Sequence, residues 1–336
     1  MRSFLIIQTA FIGDVILATP VLEKLRRHYP EAEFDMLVRA GCEELFNNHP
    51  LVRQVIVWEK RRRKYLNLWR SLRQVRKQKY DCVINCQRFA ATGILAGFSG
   101  AKTRIGFAGN PLAWRFTQKI PHEFGSGAHE VERNLRLIES ISDKKLVRPK
   151  LYPADSDFEL VRQFQDRPYT CIAPTSVWFT KQWPGEKWIE LIGKLASRFT
   201  IYLLGGKADH DACQELIEGS GTATVVNLAG NLTLLQTAAL MSGARMNYVN
   251  DSAPLHLASA LNAPVTAVFC STVPEFGFGP LSDNSRIVQT PLVLRCRPCG
   301  IHGRKECPEG HFDCARSIKV DSLLSKSVGQ QTSLEI

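Results

Sequence analysis

Residues 247–270, Asn-Tyr-Val-Asn-Asp-Ser-Ala-Pro-Leu-His-Leu-Ala-Ser-Ala-Leu-Asn-Ala-Pro-Val-Thr-Ala-Val-Phe-Cys, read as an apolar strand, an acidic-hydroxyl corner, a short helix and a second apolar strand. The corner falls where the helix begins. Backbone N–H groups there lack partners and the macrodipole adds partial positive charge, so the corner suits a phosphate. Asp251 and Ser252 occupy it, Pro254 is of the type favoured in a first helical turn, and His256 follows within one turn. Taken alone, the stretch also allows a blander account, in which Asp251 caps the helix and His256 is a packed surface residue.

Working outward, the chain opens on a second such corner. Ser3 to Ile7 reads as a buried strand, Gln8 to Gly13 as a glycine-containing loop, and Asp14 as the start of a helix with apolar Val15, Leu17, Ala18, Val21, Leu22 and Leu25. A carboxylate at a helix start is favoured in its ionised form, which N-capping alone would explain. Held over the carboxyl ends of a sheet, the same group can act as a general base toward a substrate hydroxyl.

Between and beyond these corners the pattern alternates. Strands are predicted at 3–7, 33–38, 54–58, 81–85 and 103–106, with helices at 14–28, 42–48, 63–78 and 89–98 between them. A loop-rich stretch at 107–130 precedes a helix near 129–141, and the segment around Pro149 and Pro153 reads as a connection. Ser156 and Glu159 match a capping box opening the second half, which repeats the alternation through strands 169–173, 199–204, 224–227, 246–250 and 264–269. The expectation is α/β: two Rossmann-like doubly wound domains, 1–152 and 153–336, facing across a cleft.

Two more loops of the second half suit a diphosphate. Lys181, in Thr175-Ser-Val-Trp-Phe-Thr-Lys-Gln-Trp-Pro184, precedes a helix start that repels a cation unless an anion lies between; an exposed loop lysine is the alternative. Leu203-Leu-Gly-Gly-Lys207 ends a strand in Gly205 and Gly206, which permit close backbone approach.

Bulk composition narrows the rest. The chain has 336 residues, 44% of them hydrophobic, enough for two α/β cores. No apolar window is long enough to span a membrane and no export signal is evident, so a cytosolic location is expected. The net charge is +11, and ten Lys or Arg residues crowd positions 60–79, with Leu66, Trp69, Leu72 and Val75 recurring between them. Such a basic amphipathic helix favours an anionic membrane surface or a phosphorylated acceptor; no nucleic-acid motif or base-stacking platform accompanies it.

Ten cysteines without an export signal point to reduced thiols. Cys42, Cys82, Cys86, Cys171, Cys213 and Cys270 sit in apolar segments as small core residues. Cys296, Cys299, Cys307 and Cys314 form a denser array, which is a candidate structural zinc site.

A set of motifs resembles one family. Gln8-Thr-Ala-Phe-Ile-Gly-Asp14, Lys181-x-Trp183-Pro184, Leu204-Gly-Gly-Lys-Ala-Asp-His210, Asn227-Leu-Ala-Gly230 and Asn250-Asp-Ser-x-x-x-His256-x-Ala258 resemble, in order and spacing, the ADP-heptose:lipopolysaccharide heptosyltransferases of glycosyltransferase family 9. The resemblance implies a B-type glycosyltransferase fold and inverting transfer of heptose from ADP-heptose to the lipid A-linked inner core. It implies Asp14 as the base, and Thr175, Ser176, Lys181, Gly205, Gly206, Asp251, Ser252 and His256 on the donor side. Thr9, Arg61, Arg62 and Arg63 are the acceptor candidates, no cofactor is required, and peripheral contact with an anionic membrane surface is expected.

Where the family commonly has glycine the chain has Thr175 and Ala253, and Cys270-Ser-Thr272 replaces a more usual Gly-Pro-Ser/Thr. The cysteine array resembles a cysteine-rich tail of some members. Three other readings stay open: a related transferase using another nucleotide sugar, a nucleotide-sugar epimerase or hydrolase on the same scaffold, and a non-catalytic carbohydrate- or nucleic-acid-binding protein.

Overall fold

Short, β-branched, wholly apolar runs make the central strands, because a parallel strand is covered on both faces and needs no polar alternation. In the computed structural model, which describes residues 1–60, 63–125 and 127–324, these runs build two separate sheets. The chain divides into two compact units, Met1–Tyr152 and Pro153–Glu335.

The first unit contains β1 (Ser3–Ile7), β2 (Glu33–Arg39), β3 (Val52–Trp58), β4 (Cys82–Asn85), β5 (Thr103–Phe107) and β6 (Gln118–Ile120). Its helices are α1 (Ile12–Ile16), α2 (Thr19–His28), α3 (Lys64–Gln78), α4 (Ala90–Gly97) and α5 (Glu130–Arg136). The second contains β7 (Tyr169–Ala173), β8 (Thr200–Leu203), β9 (Val225–Asn227), β10 (Asn247–Asn250), β11 (Val265–Phe269) and β12 (Ser285–Gln289). Around that sheet lie α6 (Asp155–Arg162), α7 (Gly185–Leu195), α8 (His210–Ser220), α9 (Leu234–Gly243), α10 (Ala253–Ala260), α11 (Asp313–Arg316) and α12 (Asp321–Leu324).

The sheet orders are β3-β2-β1-β4-β5-β6 and, written from its other edge, β9-β8-β7-β10-β11-β12. Each pairing between neighbouring strands is parallel. Each unit starts in the middle of its sheet, winds one way for three strands, returns to the centre and winds the other way. This is the doubly wound dinucleotide-fold order, and its switch points lie between β1 and β4 and between β7 and β10. Ligands of such sheets bind beyond the carboxyl ends of the switch-point strands.

Several local expectations are corrected. The predicted helix 14–28 begins at Ile12, and Pro20 near the start of α2 divides it, since a proline offers no N–H to the preceding turn. Residues 42–48 form only a 3-10 turn, Glu43–Phe46. The capping residue before α6 is Ala154, whose N–H is taken by Asp157 at 2.9 Å, while Glu159 pairs with Arg162. β6 and β12 had no sequence signal; both are edge strands carrying polar residues.

In α3 the buried residues are Leu68, Ser71, Leu72 and Val75, whereas Leu66 and Trp69 are exposed. A strict three-residue spacing rotates backward around a 3.6-residue helix, so the expected stripe leaves the core within two turns. The second core reaches into the C-terminal segment: Phe312, Cys314, Ala315, Ile318, Val320 and Leu323 pack with Trp183, Trp188, Leu191 and Ile192. Trp183 and Trp188 meet edge-to-face at 4.9 Å, and truncating either to Ala removes about 3–5 kcal/mol. Among the described residues no helix is long and apolar enough to cross a membrane.

Candidate active site

At the first switch point the loop after β1 is tied to the loop after β4. Thr9 is fully buried; its hydroxyl donates to Gln87 Oε1 at 2.7 Å, and its N–H approaches the same oxygen at 3.3 Å. The Thr9 hydroxyl thus serves to join the two strand exits.

Beyond this tie comes α1, in which Asp14 is half-buried in the first turn and accepts the Phe11 N–H at 3.1 Å. The capping contact therefore exists. It engages one carboxylate oxygen, and a carboxylate has lone pairs enough for a second partner.

Cations surround this rim. Lys60 donates to the Thr9 carbonyl, lies 4.8 Å over the Trp58 ring, and has its pKa lowered to about 8 by burial and then by Arg39 and Lys64. The Cys42 thiol, pushed up to about 11 mainly by burial, lies in the fields of Arg39, Glu43, Asp14 and Lys60 together. Arg63 is exposed at the left-handed turn before α3; Arg61 and Arg62 lie outside the described residues. Arg39 and Lys60 carried no sequence signal beyond their charge.

Behind Asp14 stands α5. Glu130 is buried, its carboxyl raised by desolvation, opposed by Arg133 and raised further by the Asp14 charge. Arg133 holds Glu130 at 2.7 Å, and Asn134 donates to the Leu17 carbonyl at 3.1 Å, pinning the α1–α2 junction.

The second switch point is built differently. Lys181 ends a short 3-10 turn, Phe179–Lys181, and its ammonium lies 2.7 Å from Asp251, which follows β10. Asp251 is buried and also accepts the Thr272 hydroxyl at 2.6 Å. The blander account of Asp251 as a helix cap is therefore not what is seen. The α10 cap is Ser252, in extended conformation with no side-chain capping bond, and Pro254 lies in the first turn. The start of α10 thus lies next to Asp251 of the ion pair without a side-chain cap.

Neighbouring side chains lock this corner. Asn250 donates to the Pro174 carbonyl at 2.7 Å and accepts the Trp183 N–H at 3.0 Å, joining the exits of β10 and β7. Gln182 donates to the Ser176 carbonyl at 2.7 Å; Thr175 and Ser176 are themselves half-exposed. His256 is buried, its ring 6.5 Å from that of Phe278. The glycine pair after β8 has an internal partner: the Gly206 N–H is taken by Asp209 at 2.7 Å, and a Cβ on Gly205 would meet the Asp209 Cβ at 2.7 Å. Close approach at Gly205 is thus by Asp209 itself.

The cysteine-rich segment buttresses the same corner. Arg297 donates to the carbonyls of Cys270 at 2.7 Å and Thr272 at 2.7 Å, while Ser271 bonds Thr180 at 3.0 Å and Thr180 accepts the Arg304 N–H at 2.7 Å. Ser271, which departs from the family pattern, thus holds Thr180, and Thr272, which keeps to it, holds Asp251. The four cysteines lie within one another's electrostatic reach but are not gathered as a ligand set. Among the described residues no three His, Cys, Asp or Glu side chains are gathered to hold a metal. The Cys299 thiol turns onto the Cys296 carbonyl at 3.3 Å, Cys296 approaches His311 at 3.8 Å, and Cys314 faces the core with its pKa raised to about 12, chiefly by burial.

Residues 67–311 match glycosyltransferase family 9, the heptosyltransferase family. The chain belongs to glycosyltransferase family 9. Lipopolysaccharide heptosyltransferase 1 of Pseudomonas aeruginosa is 31% identical to it over 297 residues, covering 81% of this chain and 79% of the relative. A family 9 glycosyltransferase crystal structure from Veillonella parvula superposes with a TM-score of 0.81 at 19% identity, covering 96% and 95% of the two chains. An Escherichia coli heptosyltransferase solved with ADP gives 0.76 at 21% identity, covering 96% and 98%. The fold is the B-type fold of those structures, and as a family 9 member the chain is a glycosyltransferase.

Proposed function

We propose that this family 9 enzyme moves heptose from ADP-heptose to an anionic, lipid-linked saccharide of the lipopolysaccharide inner core, with inversion. The observation that carries the reading is Lys181, held 2.7 Å from Asp251 beside the side-chain-uncapped start of α10. An ammonium has three donors, so Lys181 can keep Asp251 and still meet a diphosphate oxygen, while the Thr272 hydroxyl and Lys181 itself offset the Asp251 charge.

In the reaction the acceptor hydroxyl oxygen bonds to the anomeric carbon and the bond from that carbon to the diphosphate oxygen breaks. ADP departs with the electron pair. Asp14 takes the hydroxyl proton; Lys181 and the Ala253 N–H at the start of α10 stabilise the charge that builds on the diphosphate through an oxocarbenium-like transition state. Thr175, Ser176 and His256 line the donor side, and the Gly205-Gly206 turn supports it through Asp209.

For the acceptor, the cationic rim of Arg39 and Lys60, with Arg61, Arg62 and Arg63 next in sequence, supplies the charge that phosphate or carboxylate groups of the saccharide need. The acceptor's lipid places the enzyme peripherally at an anionic membrane surface on the cytoplasmic side. Mass-spectrometric detection of product from a panel of nucleotide sugars and truncated lipopolysaccharide acceptors tests the reading. Heptose transfer only from ADP-heptose supports it; donor consumption without acceptor, or transfer of another sugar, rejects it.

A further inference from the structure

The first unit carries a second basic feature, away from the Asp14 rim. An open pocket of about 270 Å³ is lined by Arg76, Arg104 and Arg115, by Phe98 and Trp114, and by two glycines. It lies where α3 and α4 end and β5 begins, at the amino edge of the sheet, whereas Asp14 follows the carboxyl end of β1. An acceptor at the Asp14 rim therefore does not reach it.

Part of its chemistry is structural. Helix C-termini attract cations, and here Arg115 donates to the Gly97 carbonyl at 3.4 Å, Arg76 to Phe98 at 3.4 Å, and Arg104 to the Ala101 and Arg115 carbonyls. Those bonds engage one or two of the five N–H donors on each guanidinium. They also neutralise the carbonyls that would repel an anion. No carboxylate lines the pocket.

The surroundings say what kind of anion. Trp114 is 66% exposed, Trp69 52% and Tyr65 81%, and all three stand beside arginines or lysines. Arg115 lies over both Phe98 (4.6 Å) and Trp114 (5.3 Å), and Arg73 lies over Trp69 at 5.3 Å. On the α3 wheel Tyr65, Trp69, Arg73 and Arg76 share one exposed face, so the aromatic-basic strip runs along the helix into the pocket. Exposed amphipathic rings interleaved with arginine suit the boundary between lipid headgroups and acyl chains. The volume is below the roughly 300–1,000 Å³ of drug-sized sites, which suits a headgroup phosphate rather than a nucleotide.

We infer that the α3 face and the Arg76–Arg104–Arg115 pocket form a docking site for the phosphate headgroup of an anionic phospholipid, with Trp69 and Trp114 entering the interface. This rests on the membrane-contact part of the proposed function and assigns it to a definite surface.

Vesicle co-sedimentation tests it with the full chain. Wild type binds phosphatidylcholine vesicles containing phosphatidylglycerol but not pure phosphatidylcholine, and binding weakens with added salt. Arg76→Gln and Arg115→Gln each lower the affinity by about fivefold, and together by about twenty-five-fold. Trp114→Ser lowers it as well, and Arg104, which braces the β5 start, is left intact. Transfer to a soluble, delipidated acceptor stays at the wild-type rate in all four variants, and thermal unfolding confirms that they are folded.

A folded Arg76→Gln/Arg115→Gln protein that binds phosphatidylglycerol vesicles like wild type overturns the pocket assignment while leaving membrane contact standing. Failure of wild type to bind any vesicle overturns both. Calorimetric binding of inorganic phosphate that is lost in Arg76→Gln/Arg115→Gln, with no vesicle binding, marks a free-phosphate site and rejects the lipid assignment, as does retention of single-stranded RNA without vesicles. None of these outcomes depends on whether heptose is the sugar transferred.

Discussion

The two switch points have one topology and opposite chemistry. At the first, the strand exits are joined by a neutral buried pair, Thr9 with Gln87, and the charged group, Asp14, stands on the following helix with one carboxylate oxygen engaged by Phe11. At the second, the exits are joined by an ion pair, Lys181 with Asp251, braced by Asn250 and Thr272. The difference teaches that the fold supplies only the place. A neutral tie sets the carboxylate on the helix beyond it, whereas a charged tie fixes a cation at the strand exit itself; under the proposed function the first would take a proton and the second would meet the departing anion.

The comparison breaks most visibly at Asp14. Asp14→Asn keeps the Phe11 cap but cannot accept a proton; kcat is expected to fall about 10³-fold with ADP affinity, read by calorimetry, unchanged. Equal loss of ADP affinity would mean that the two points do not divide the work as described. At the second point Lys181→Met is expected to lower kcat/KM by about 10²-fold or more and to weaken ADP binding as well. If ADP binds Lys181→Met as tightly as wild type, the anion role belongs elsewhere.

Arg297 sharpens the contrast, because its counterpart at the first point, α5, acts through Asn134 on a single carbonyl. Arg297→Ala leaves several carbonyls of the 269–272 turn unpaired, at a cost of about 2–3 kcal/mol in urea unfolding. A donor KM raised several-fold at nearly constant kcat would mark Arg297 as positioning Asp251 through Thr272.

Acid tests the first unit. Burial, with Lys150 nearby, holds His49 at about 4, well below its unfolded value near 6.5, so between these limits the unfolded chain binds the extra proton. Stability is full above pH 6.5 and declines as pH falls toward 4, by about 2 kcal/mol from this group. His122, partly exposed and lowered to about 4 by burial and by Arg88 and Arg133, acts in the same direction. Hydrogen exchange at pH 7 and 4.5 should show the loss concentrated in residues 1–152. The smallest effect belongs to the neutral tie: Thr9→Val should cost about 1–2 kcal/mol and change kcat by only a few-fold.

The central strands were legible because burial on both faces writes them as uninterrupted apolar runs such as Phe4 to Ile7 and Val265 to Phe269. Edge strands β6 and β12 were not, since their exposed sides admit Lys119, Arg286 and Gln289. Asp14, Lys181 and Asp251 stood out as charges beside predicted helix starts. That Lys181 meets Asp251 could not be read, because a contact across 70 residues leaves no periodic trace. The same holds for Thr9 with Gln87, an internal tie that no spacing announces, and for the cysteine-rich segment, which braces the 269–272 turn through Arg297.

Gly303 shows how tightly that brace fits. Its φ of +77° is a conformation that side chains resist, and a Cβ there would come within 2.9 Å of the Lys181 Cγ and 3.0 Å of the Thr180 hydroxyl. One added methyl, far along the chain and bearing no charge, would crowd the lysine paired with Asp251. Under the proposed function, a change in this distant segment would therefore be felt at the donor without touching it.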